Sequence, residues 1–217
     1  MNIKNKSKII QKILDKTYPN VPIPLSYRNT FTLLVSVLLS AQCTDVNVNN
    51  VTKNIYPKYN HPKHFLKLGR KKIERLIKRI GIFRVKAKSI YYLSKTLIEK
   101  YNGKVPNTYQ ELEQLPGVGH KTASVVMSQG FGYPAFPVDT HIHRLAQRWG
   151  LTNGKNVVQT EKDLKAIFSR KNWNKLHLQI IWFGREYCKA RDCFGLTCKI
   201  CKSCYPNRKK KFIAKKA

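Results

Sequence analysis

Apolar residues along this chain recur at spacings of three and four, and the alternation that marks strands is scarce. Ile73, Leu76, Ile77 and Ile80 form one helical stripe, expected to run until Gly81 stops it, and Ile90, Leu93 and Leu97 form the next. Thr108 followed by Glu111 has the form of a capping box, opening a short helix to Leu115 that Pro116 and Gly117 break. A second helix is predicted from about Gly119 to Gln129, which makes roughly residues 108–129 a helix, a hairpin and a helix. After the turn-rich Gly130-Phe131-Gly132-Tyr133-Pro134, Ile142, Leu145 and Trp149 share one face of a helix closed by Gly150, with Asp139 at its entrance. Trp173, Leu176, Ile180, Phe183 and Tyr187 predict a long buried helix that leads into a group of cysteines. The basic tail from Asn207 to Ala217 has little to bury and is expected to be mobile.

The pattern predicts an all-α fold of two helical domains, one over residues 25–134 and one made of residues 1–24 with 135–217. Lys121 and Asp139 would then line opposite walls of the cleft between them, and domain junctions are favoured places for sites. The most apolar stretch, Phe31 to Ala41, is too short to span a bilayer, and the basic segment Met1 to Lys16 lacks the apolar run of a signal peptide. A soluble intracellular protein with no membrane partner is expected.

Charge narrows the partner. Lys and Arg number 42 against 11 Asp and Glu, a formal charge of +31 on 217 residues, which makes nucleic acid the natural partner. Such a surface gives salt-sensitive, sequence-independent attraction but no chemistry. A compositional bias toward lysine on ordinary solvated faces accounts for many individual lysines equally well.

The segment Leu115-Pro116-Gly117-Val118-Gly119-His120-Lys121-Thr122-Ala123 adds the chemistry. Two glycines flanking one apolar residue let the backbone turn tightly, and the following helix brings its positive end, a combination suited to gripping a DNA phosphate. Gly117, Val118, Gly119 and His120 are the expected contacts, with Lys121 as candidate nucleophile. Five of the six cysteines fall between Cys188 and Cys204, a spacing that in a reducing compartment points to a metal before disulfides. Cys43 is read as a small core residue inside an apolar helix, and His141 as structural support.

Leu38-Leu39-Ser40-Ala41-Gln42-Cys43-Thr44-Asp45, Ile80-Gly81-Ile82, Leu115 to Ala123, Val138-Asp139-Thr140-His141 and the C-terminal cysteines, in that order, resemble the endonuclease III family of DNA glycosylases within the helix-hairpin-helix superfamily. The resemblance runs nearly end to end. It implies a six-helix domain carrying the hairpin and a second domain with a C-terminal iron–sulfur loop. It also implies base excision on double-stranded DNA containing damaged bases or abasic sites, by a monomer associated with the nucleoid. Lys121 would attack the sugar C1′ of an oxidised pyrimidine nucleotide, expel the base and cut the strand by β-elimination. Asp139 would stabilise charge on the sugar and move protons. Gln42 and Ile82 stand where the family's gap-filling residues stand.

The family holds a 4Fe-4S cluster on the pattern C-x6-C-x2-C-x5-C, and this chain departs from it. Gly195 occupies the second position, while Cys193 and Cys201 are both available. The most economical ligand set is Cys188, Cys198, Cys201 and Cys204, with Cys193 in place of Cys201 as the competitor. Lys189, Arg191, Lys199 and Lys202 on this loop would offer a basic face to the DNA backbone.

Overall fold

The computed structural model describes residues 1–216, and among them eleven α-helices, one 3-10 turn and no strand. The chain divides into two compact units, Ile23–Tyr133 and Met1–Pro22 with Pro134–Ala217. No helix among the described residues is long and apolar enough to cross a membrane.

The unit Ile23–Tyr133 holds α2 (Thr30–Ser40), α3 (Asp45–Thr52), α4 (Pro62–Leu76), α5 (Phe83–Tyr101), α6 (Tyr109–Glu113) and α7 (His120–Phe131). Helix α2 is apolar all round, so it can only sit inside, and every residue from Phe31 to Leu39 is buried. It starts with a reciprocal capping box between Asn29 and Thr32 and packs against α3, α5 and α7. Helix α7 answers it with the buried run Ala123 to Ser128, and Gly130 lets the two approach, since a Cβ there would stand 3.0 Å from the Thr30 methyl.

Three local expectations change in this unit. Helix α4 ends at Leu76, so Ile77 and Ile80 are buried in the turn that follows, and Gly69 with φ +71° kinks the helix partway. The Thr108 hydroxyl accepts from the Glu111 N–H at 3.3 Å and donates to the Glu111 carboxylate at 2.6 Å, which is half of a capping box. Cys43 lies past the end of α2 and is half-buried, because α2 stops at Ser40, and its Sγ accepts from Asn47 Nδ2 at 3.3 Å.

The other unit contains α1 (Ile3–Thr17), α8 (Thr140–Trp149), α9 (Val157–Ile167), α10 (Trp173–Glu186) and α11 (Lys199–Cys204). Its core joins Ile10 and Leu14 of α1 to Ile142, Leu145 and Trp149 of α8, Leu176, Ile180 and Phe183 of α10, and the cysteines. The α10 stripe holds as far as Phe183, but Tyr187 is 53% exposed because the helix has ended at Glu186.

The tail is docked rather than mobile. Arg208 donates to the carbonyls of Arg148 (2.9 Å) and Gly195 (3.1 Å), Phe212 N–H donates to the Phe194 carbonyl, and the Gln147 amide makes two hydrogen bonds with the Lys215 backbone. Side chains of the tail that looked like bare charge also stack, with the Arg208 guanidinium 3.8 Å from the centre of the Tyr205 ring. Ala217 lies outside the described residues.

Candidate functional site

The hairpin between α6 and α7 is anchored by its apolar side chains. Leu112, Leu115 and Val118 are buried, and the Val118 N–H donates to the Leu115 carbonyl at 3.1 Å. Val118, expected among the DNA contacts, therefore turns inward and braces the turn, leaving Gly117, Gly119 and His120 exposed beside it. Gly117 adopts φ +81°, and a Cβ there would stand 2.8 Å from Ser89 Cβ. Gly117→Ala is expected to cost about 1–2 kcal/mol from the left-handed backbone alone, more with the Ser89 clash, lowering the melting midpoint and weakening duplex DNA binding. A melting curve and a binding titration check both.

Gly119 begins α7 without any side-chain cap, and the first turn holds no acidic residue, so the positive helix end is open to an anion. His120 is held in place by the Glu113 carboxylate at 2.8 Å and by the Tyr109 ring stacked 5.6 Å away, centre to centre. Lys121, in the same first turn, is exposed.

Gln42 and Ile82 are two of four non-glycine residues with positive φ among the described residues, at 53° and 51°, and both side chains are exposed. Gln42 lies in the turn after α2 and Ile82 at the N-cap of α5. Left-handed backbone at a β-branched residue is costly and persists only where the surroundings enforce it.

Asp139 is in the other unit, at the N-cap of α8, where its carboxylate accepts from the Ile142 N–H at 2.8 Å. Arg144, one turn on, ties this helix entrance to the chain after α10: its Nη2 reaches His141 Nδ1 and the carbonyls of Gly184 and Cys188 at 3.1–3.3 Å. Burial and the neighbouring Arg148 lower the pKa of the Arg144 guanidinium, and the charges of Cys188 and Asp139 oppose that shift.

Four buried thiols converge in the C-terminal loop. The Sγ atoms of Cys188, Cys193, Cys198 and Cys201 all lie within 4.8 Å of one another, with Cys188–Cys201 and Cys193–Cys201 at 3.9 Å. The expected set included Cys204; the structure puts Cys193 in the group and Cys204 outside it. Local geometry explains the exchange. Phe194 and Gly195, with φ of 46° and 79°, turn the chain back so that the Cys198 N–H donates to Cys193 Sγ at 3.4 Å. Cys198 caps α11 and accepts from the Cys201 N–H, whereas Cys204 falls a turn farther along that helix. The hydrogen bonds from Cys198 and Cys201, with Arg148 Nη1 at 3.3 Å, hold the Cys188 thiol well below its usual range. Burial pushes Cys204 up to about 11. An all-thiol, buried, four-member donor set fits a 4Fe-4S cluster in its ligand chemistry.

Sequence reasoning missed two buried cations that brace these segments. Arg148 is 2% exposed and wraps the loop, donating to the carbonyls of Cys188, Lys189 and Ala190 and to Cys188 Sγ. Lys86 is buried and donates to two carbonyls at the end of α2. Neither carries a signal in spacing, since each looks like another surface cation in a very basic chain.

The model of the HhH-GPD superfamily base excision DNA repair protein matches residues 35–170. Endonuclease III of Bacillus subtilis (strain 168) is 41% identical over 211 residues, covering 97% of this chain and 96% of that protein. Endonuclease III of Escherichia coli (strain K12) is 42% identical over 190 residues, covering 86% and 90%. Among solved structures, a trapped endonuclease III–DNA covalent intermediate superposes with a TM-score of 0.87 at 41% identity, covering 92% of this chain and 94% of that one. A thermostable thymine-DNA glycosylase shares the fold, with a TM-score of 0.80 at 23% identity. With an open-ended hairpin helix bearing Lys121, a four-thiol loop and these likenesses along almost its whole length, the chain belongs to the endonuclease III family of the HhH-GPD superfamily, base excision DNA repair enzymes that are DNA glycosylases and abasic-site lyases.

Proposed function

We propose that this protein removes oxidised or ring-saturated pyrimidines from double-stranded DNA and then cuts the strand on the 3′ side of the abasic site. The observation that supports this most is Lys121 itself: an exposed amine in the first turn of a helix whose uncapped end can hold the adjoining phosphate. The neutral amine attacks C1′ as the glycosidic bond breaks, and the base leaves with the bonding electrons and takes up a proton. Ring opening gives a Schiff base between Lys121 and C1′. Loss of a proton from C2′ then expels the 3′ phosphate by β-elimination, and water releases the lysine.

Asp139 supplies a carboxylate that stabilises positive charge on the sugar and moves protons. Asn caps a helix as well as Asp does, so Asp139→Asn is expected to leave the melting midpoint nearly unchanged while slowing base release by roughly 10²-fold or more. A single-turnover excision assay beside a melting curve separates the two effects. Gly117, Gly119 and His120 hold the backbone, and Gln42 and Ile82 fill the gap left by the everted nucleotide, Gln42 facing the orphaned base and Ile82 entering the stack. The protein acts as a monomer inside the cell, on the chromosome.

Cys188, Cys193, Cys198 and Cys201 would hold a 4Fe-4S cluster, whose part is to staple the loop that carries Lys189, Arg191, Lys199 and Lys202 to the DNA backbone. A single tetrahedral zinc is the second reading. Bonds of about 2.3 Å place its sulfurs roughly 3.8 Å apart, and the Cys188–Cys201 and Cys193–Cys201 pairs here are 3.9 Å. Iron, sulfide and zinc analysis of the purified protein distinguishes them.

The function is tested with duplex oligonucleotides carrying thymine glycol or an intact thymine. Release of the damaged base with scission on its 3′ side is the expected result. Binding without either product would reduce the protein to a DNA-binding module.

A further inference from the structure

The residues that hold Gln42 and Ile82 have no assigned part, and one of them is a buried cation. Lys86, on α5, is 3% exposed, and its Nζ donates to the carbonyls of Leu39 at 2.9 Å and Ala41 at 2.5 Å. Ala41 is the residue immediately before Gln42. The Lys86 backbone N–H, in turn, donates to the carbonyl of Ile82 at 3.2 Å. The Lys86 side chain therefore fixes the turn that leads into Gln42 from the first turn of α5, the helix whose N-cap is Ile82, and its main-chain bond to Ile82 is the one that opens that helix; Gln42 and Ile82 are both in the left-handed region.

Two further contacts close the same joint. Asn47 Nδ2 donates to the Arg79 carbonyl at 2.9 Å, and a Cβ at Gly81 would stand 3.4 Å from the Gln42 carbonyl oxygen. A buried ammonium whose partners are neutral carbonyls is a costly way to hold a helix end, since ordinary C-caps use glycine or an exposed side chain. Burial lowers its pKa accordingly. Strain of this kind is retained where position matters more than stability.

We infer that Lys86 is the positioning residue that locks Gln42 and Ile82 into one preset wedge, so that the pair enters the duplex as a unit. This rests on the reading of Gln42 and Ile82 as gap-filling residues. Lys86 touches neither DNA nor the reacting atoms. Its effect should appear only when a base must be pushed out of a stack.

The test uses the full-length protein, a duplex with 2-aminopurine opposite an abasic site to follow insertion, and a single-stranded abasic oligonucleotide that needs no insertion. Lys86→Met is expected to slow the duplex fluorescence change by roughly tenfold or more, as small misplacements do. Borohydride trapping on the single strand should stay within about twofold, because Lys121 and its hairpin are untouched. In a double-mutant cycle, Gln42→Ala should lose most of its own effect once Lys86 is Met. Independent, additive effects, or a normal insertion rate in the folded Lys86→Met protein, would overturn the inference. If Lys86→Met fails to fold, Asn47→Ala loosens the joint from the other side, and the same cycle is run on it and judged by the same two outcomes. Should Gln42→Ala and Ile82→Ala both leave insertion unchanged in the native background, the wedge reading itself fails and takes this inference with it. Failure of Lys86 alone leaves those two variants slow.

Discussion

Lys121→Gln is expected to abolish covalent capture on abasic-site DNA in borohydride, by at least roughly 10³-fold, because an amide cannot form a Schiff base. Affinity for the same DNA should stay within about threefold, since one exposed charge is lost from a surface of many and the proposed phosphate grip is made by backbone. The native formal charge is +31, so one unit is a small part of the attraction. The contrast between the two readouts separates a nucleophile from a phosphate contact. A lysine that only neutralised a phosphate would show the reverse: weaker binding, a shallower salt dependence and intact capture. Gel separation of the adduct and a salt titration of binding check both halves.

The second large effect concerns the cysteines. Cys193→Ser is expected to lose nearly all bound metal, roughly tenfold or more against the native protein, and with it the ordered loop, because such a site's binding energy is also folding energy. Cys204→Ser should keep its metal within about twofold, because Cys204 stands outside the four converging sulfurs. Iron, sulfide and zinc content of the two purified variants, with visible absorbance, decides between them. The opposite ranking would restore the ligand set drawn from the sequence.

That contrast shows where the sequence was legible and where it was not. Helical stripes such as Ile90, Leu93 and Leu97 are read directly because burial acts on one face of a helix, and those three are fully buried. The hairpin is legible because glycine spacing reports backbone conformation, and Gly117 does take the left-handed turn. The four thiols that converge differ from the set drawn from the sequence because that set was measured against a family spacing, whereas the convergence follows from the reversal at Phe194-Gly195, which no periodicity encodes. Tail docking was hidden for a related reason. Its hydrogen bonds are mostly to backbone carbonyls and to the Gln147 amide, and composition registers only the lysines. Lys86 and Arg148 were invisible as buried cations because nothing local distinguishes them from exposed ones.

The central claim is tested most directly by trapping the native protein on an abasic-site duplex with borohydride, digesting the adduct and locating the modified residue by mass spectrometry. The predicted result is a single deoxyribose adduct on the peptide that contains Lys121. An adduct on any other lysine, or none, would contradict it.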